Sequence, residues 1–153
     1  MRLYRGINLG GYLSQCVHTE DHYRSFISED DIRQIKEWGF DHIRLPIDYV
    51  VLETDEGIKR PEGYQYVSNV VSWCQKYQLD VVLDLHKAYG YDFNNAGNIE
   101  KNNLFFQHEL QQRFIRLWES IAHEYGKFSH VAFELLNEVV EEQNTSSWNN
   151  LIR

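Results

Sequence analysis

The chain has 153 residues, with 15 Lys and Arg against 23 Asp and Glu, a formal net charge of −8. That length suits one domain with a real core, and the acidic balance excludes the clustered basic surface that nucleic acid and anionic membranes reward. The aromatic share, 14%, exceeds what a core of this size needs and points to stacking surfaces. Two cysteines, Cys16 and Cys74, make no disulfide framework and read as buried free thiols. No apolar run approaches the ~20 residues of a membrane span. The N-terminus lacks the apolar stretch of a signal peptide, so the chain either stays inside or has lost a leader, and its compartment is left open.

Taken in chain order, the first apolar run, Tyr4 to Leu9, reads as a strand. The turn after it, Asn8-Leu9-Gly10-Gly11, is neither the dinucleotide fingerprint nor a P-loop. His18-Thr19-Glu20-Asp21-His22 has the look of a metal motif, but H-E-x-x-H places Glu directly after the first His. This polar stretch is read as loop, and neither a metal nor a cofactor is expected. Ser28 with Asp31 makes a capping box, and Gly39 closes the helix that follows. His42 to Ile47 is the second strand. Val67, Val70, Val71 and Cys74 form one apolar helical stripe. Leu79 to Leu85 is the third strand. Leu110, Phe114, Leu117, Trp118, Ile121 and Tyr125 make a longer stripe, stopped by Gly126. The pairs His108-Glu109 and His123-Glu124 on that helix read as solvated. Val131 to Leu136 is the fourth strand, and a further helix opens over Thr145 to Arg153.

The apolar runs are short and do not alternate, which fits strands buried on both faces of a parallel sheet. The order β-α-β-α-β-α-β leaves an open doubly wound sheet or a (β/α)₈ barrel. A complete barrel needs roughly 250 residues, so in the second case four strands would be half of one.

Three of the strands end in polar groups: His42-Ile43-Arg44-Leu45-Pro46, Leu83-Asp84-Leu85-His86, and Glu134-Leu135-Leu136-Asn137-Glu138. Each residue has a plain alternative taken alone. Arg44 could simply pair with a carboxylate, His86 be a satisfied core histidine, Asn137 a turn residue and Glu138 a solvated carboxylate. Four polar residues at corresponding strand ends point instead to a site, because a barrel builds its active site at that mouth. Tyr12, Tyr49, Tyr89, Tyr91, Phe93 and Trp148 fall in or near the same loops, where one or two flat rings could serve as stacking platforms, Tyr89 first.

Together with Arg5-Gly6-Ile7-Asn8-Leu9-Gly10-Gly11 and Phe133 to Glu138, these motifs resemble glycoside hydrolase family 5, the cellulase family, and within it the clostridial-type endo-β-1,4-glucanases. The resemblance covers essentially the whole chain. It implies the N-terminal half, about four βα units, of a (β/α)₈ barrel, with residues 1–153 as a partial catalytic domain. It implies a retaining glycosidase acting on β-glucan. Glu138 would be the general acid/base, Asn137 would contact the sugar 2-hydroxyl, Arg44 would orient the nucleophile, and His86 would bind in the donor-side sugar site. Tyr89, Asn8 and Trp148 are the further candidates for substrate binding. The family's nucleophile, a Glu ending the seventh strand, lies outside these residues, so a C-terminal half or a second chain is expected to complete the barrel, and the isolated chain is expected to be inactive. The chemistry agrees: a retaining glycosidase needs two carboxyl groups ~5–5.5 Å apart, one of them held protonated. The opening motif is also similar to the exo-β-1,3-glucanase branch. The alternatives are therefore a β-1,3-glucanase or mannanase of the same family, or a non-catalytic carbohydrate-binding remnant.

Overall fold

The computed structural model describes Met1 and residues 3–153. Four parallel strands lie in sequence order: β1 (Gly6–Asn8), β2 (His42–Asp48), β3 (Asp80–Lys87) and β4 (Val131–Glu134). The connections carry helices α1 (Glu20–Ser25), α2 (Glu29–Glu37), α3 (Tyr49–Leu52), α4 (Pro61–Lys76) and α5 (His108–Tyr125), and α6 (Thr145–Leu151) follows β4. Single 3₁₀ turns sit at Phe93–Asn95 and Glu142–Asn144.

Local chemistry sets several of these boundaries. The Ser28 hydroxyl accepts from the Asp31 amide, and the Asp31 carboxylate accepts from the Ser28 amide at 2.8 Å, so the capping box forms. Gly39 ends α2 at φ +86°, a conformation that only glycine takes freely. Pro61 opens α4, where its missing N–H costs nothing. Gly63 is required for a different reason: a Cβ there would lie 1.7 Å from the Val51 carbonyl oxygen, so α3 and α4 pack backbone to backbone.

The strands alternate, contrary to the reading from the apolar runs. Ile43, Leu45 and Ile47 of β2 and Val81, Leu83 and Leu85 of β3 are buried against Ile32 and Ile35 of α2 and Val67, Val70, Val71 and Cys74 of α4. The opposite face carries Arg44 and Pro46, then Val82, Asp84 and His86, then Ala132 and Glu134, as a period of two requires. Val82, Ala132 and Pro46 are apolar, and they disguise that polar face in the sequence.

One further expectation is corrected. The stretch from His18 to His22 is not all loop: Thr19 caps α1, which includes Glu20, Asp21 and His22. Gly126 ends α5 as expected, in an ordinary right-handed conformation with φ −64°. Both thiols are free, with Cys74 buried and Cys16 half-buried. No helix among the described residues is long and apolar enough to cross a membrane.

Candidate active site

The polar face of the sheet converges on Arg44. Its Nε donates to Glu134 Oε2 at 2.7 Å and its Nη2 to Glu134 Oε1 at 2.8 Å, a two-point ion pair. Nη2 also lies 2.8 Å from Asp84 Oδ2 and 3.0 Å from Asn137 Oδ1. Nη1 donates to Asn8 Oδ1 at 3.1 Å. The hydrogen bond to Glu134, backed by the charges of Asp84, Glu134 and Glu138, holds the Arg44 guanidinium above its already high ordinary pKa against the opposing effect of burial. A guanidinium has five N–H groups. One Nη1 hydrogen is left without a partner among the described residues.

His86 joins the same cluster from β3. Its Nδ1 is 2.7 Å from Asp84 Oδ2, and its Nε2 is 3.0 Å from the Gln15 side-chain amide nitrogen. Asp84 is fully buried, and burial raises its carboxyl above the ordinary range, with the charge of Glu134 adding and the His86 hydrogen bond and Arg44 charge opposing.

The loop after β4 positions Asn137 and Glu138. The Asn137 amide donates to Leu85 O at 3.1 Å, which ties the segment after β4 to the end of β3. Asn137 is buried, whereas Glu138 is exposed. Glu138 sits at φ +45°, a strained conformation for a residue with a Cβ. Its carbonyl accepts from the Tyr91 hydroxyl at 2.7 Å, and the same hydroxyl oxygen accepts from the Val140 amide at 3.2 Å. A buried tyrosine thus pins the turn that presents Glu138.

The aromatic candidates separate. Tyr12 and Tyr91 are buried, so neither offers a ring to a sugar. Trp148 is half-buried and meets Phe105 and Phe114 edge to face, at 6.2 Å from each. Tyr89 is 36% exposed, with the Arg113 guanidinium 3.9 Å from its ring centre and Tyr49 against it edge to face. Arg113 itself is locked by Glu53 Oε1 at 2.7 Å and by the Thr54 and Asp55 carbonyls. Phe93 is exposed.

The expected residues Arg44, His86, Asn137 and Asn8 are joined directly or through Asp84, with Glu138 adjoining Asn137 in the chain. Asp84, Glu134, Gln15 and Tyr91 were not singled out as members of this cluster. A polar residue at every second place of an otherwise apolar strand was the available signal for Asp84 and Glu134. Among the described residues no group of three or more His, Cys, Asp or Glu is arranged to hold a metal ion.

The profile of the family described as cellulase (glycosyl hydrolase family 5) matches residues 5–153. Cellodextrinase A of Ruminococcus flavefaciens is 44% identical over 151 residues, which cover 97% of this chain and 44% of that enzyme. Endoglucanase C of Acetivibrio thermocellus is also 44% identical over 151 residues, covering 96% of this chain and 43% of that enzyme. The chain therefore spans less than half the length of these curated relatives. A crystal structure of a glycoside hydrolase superposes with a TM-score of 0.78 at 23% identity, covering 99% of this chain and 48% of that one. The four parallel strands and their helices have the architecture of half a (β/α)₈ barrel. The matched residues span all four strands, and the chain belongs to the cellulase family, glycosyl hydrolase family 5.

Proposed function

We propose that these residues form the acid/base side of a retaining β-glucan hydrolase of the endo-β-1,4 type. Glu138 protonates the leaving glycosidic oxygen and later takes a proton from the attacking water. Asn137 hydrogen-bonds the sugar 2-hydroxyl, a contact that strengthens in the transition state. His86 binds a hydroxyl of the same sugar, and Asn8 and Tyr89 border it. The nucleophile comes from strands that complete the barrel, in one longer chain or in a second one, and the remaining Nη1 hydrogen of Arg44 orients it.

The observation that carries this reading is the Arg44 cluster. One guanidinium ties the residue preceding Glu138 to Asp84 and Glu134, so the acid/base is held in register with the cation that would face the nucleophile. Exposure of Glu138 suits a group that must meet both a leaving oxygen and a water.

The test uses the domain completed by its remaining strands. Glu138→Gln keeps the shape of the side chain and loses the transferable proton. Hydrolysis of cello-oligosaccharides should fall by about 10²–10⁴-fold. Aryl glycosides with good leaving groups need less protonation, so their first step should suffer less, and azide should restore turnover because it needs no general base. Near-wild-type hydrolysis by the variant would overturn the assignment. Preference for β-1,3-glucan or mannan over cello-oligosaccharides would overturn the linkage.

A further inference from the structure

We propose that Asp84 is the positioning residue of this site. Its buried carboxylate fixes His86 as the neutral Nδ1–H tautomer, so that the Nε2 lone pair faces the mouth as a hydrogen-bond acceptor, and the same carboxylate oxygen locks that ring to Arg44. The inference rests on the reading of His86 and Arg44 as site residues and adds the group that sets their geometry.

Three observations support it. Asp84 is fully buried and lies on the face of β3 that also carries His86, two residues on. Arg44 Nη2 at 2.8 Å and His86 Nδ1 at 2.7 Å converge on one oxygen, Oδ2, while Oδ1 is buried with no partner among the described residues. A carboxylate that serves packing alone has no reason to bring a guanidinium cation and a ring N–H to one oxygen and leave the other bare, since a buried unpaired acceptor costs about 1–3 kcal/mol. Thirdly, the other side of the ring is occupied: the Gln15 amide nitrogen is 3.0 Å from Nε2. An amide N–H only donates, so this placement of Gln15 makes Nε2 the acceptor and leaves the ring proton on Nδ1, where Asp84 accepts its hydrogen bond.

The chemical consequence is polarity. With Nδ1–H turned inward, His86 recognises a sugar hydroxyl that donates, and Gln15 occupies that place when no sugar is bound. The opposite tautomer would present N–H and select an accepting oxygen. A histidine acquires its tautomer from the group at its other nitrogen, and here that group is Asp84.

Ring nitrogens of the full 153-residue chain, labelled with ¹⁵N and observed at neutral pH, give the test, with His86→Gln supplying the assignment. The expected result is a protonated Nδ1 and a bare Nε2. Asp84→Ala should abolish that signature, and Asp84→Asn, which keeps an acceptor oxygen, should restore it in part. Gln15 is exposed, and Gln15→Ala should leave Nδ1–H in place, which keeps the proposal open to refutation even if Asp84→Ala does not fold. A wild-type ring protonated on Nε2 or on both nitrogens would overturn the proposal. So would a folded Asp84→Ala chain that keeps Nδ1–H, or a Gln15→Ala chain that loses it. None of these readouts depends on turnover, so loss of the acid/base assignment for Glu138 would show separately.

Discussion

Arg44 and Glu134 form a two-point ion pair although their strands are not neighbours. They are 90 residues apart in the chain, with Nε–Oε2 at 2.7 Å and Nη2–Oε1 at 2.8 Å, and β3 runs between β2 and β4. Neighbouring strands lie about 4.8 Å apart, so the pair bridges roughly 10 Å of sheet. Only a long side chain does this, and it passes Asp84 on the way. The ion pair is a strap across three strands as well as part of the site.

Removing the cation should therefore cost stability. Arg44→Met leaves Asp84 buried with its main charge partner gone, and breaking a buried pair from one side typically costs several kcal/mol. The Arg44 side chain is 26% and that of Glu134 37% exposed, which screens part of the effect. The expected loss is about 2–4 kcal/mol in urea unfolding. Adding Asp84→Asn to Arg44→Met should recover part of it, because the orphaned charge is then also removed. A double variant as unstable as the sum of the singles would contradict the coupling.

Asp84 also sets a pH dependence. Burial raises its folded carboxyl above the ordinary value of 3.8. The folded chain then binds this proton more tightly than the unfolded chain does. The group's contribution to stability is fully present below about pH 4 and is lost as pH rises through the raised value. Asp84→Asn has no such titration, so its unfolding free energy should gain on the wild type as pH is stepped from acid to neutral. Urea curves across that range give the check, and a difference that stays flat in pH would contradict the account.

Tyr91 holds the turn at Glu138 by a single hydroxyl, which bridges Glu138 O at 2.7 Å and the Val140 amide at 3.2 Å. Tyr91→Phe keeps the packed ring and removes both bonds. Global stability should fall by about 1–2 kcal/mol. Amide exchange at Val140 should accelerate much more than exchange in the core of β3. Equal protection of Val140 in both chains would show that the hydroxyl does not secure the turn.

The two thiols should react in a fixed order. Burial pushes Cys74 up to about 12. Cys16 is also raised, first by burial and then by the Asp48 charge, with Lys87 opposing. Attack by a thiol reagent requires thiolate and access. At mildly alkaline pH a disulfide reagent should modify Cys16 slowly and Cys74 only on unfolding, as mass spectrometry of the peptides would show. Early labelling of Cys74 would mean that α4 opens locally.

The sequence by itself determined the order and type of the four strands, the long helices and the Ser28 capping box, because each is written in neighbouring residues: an apolar run, a stripe of period 3.6, or a hydroxyl three places before a carboxylate. It also located the mouth, since Arg44, His86, Asn137 and Glu138 follow or end apolar runs. Helices α1 and α3, of 6 and 4 residues, are too short to display a period. Tyr12 and Tyr91 read like surface aromatics, and only the tertiary structure showed them buried, because ring burial depends on what other segments bring near. The partners of Arg44 were undecidable for the same reason. Several carboxylates precede or follow it in the chain, and which of them it meets depends on the parallel register that sets Asp84 opposite Glu134 and on the alternation that turns both toward the same face.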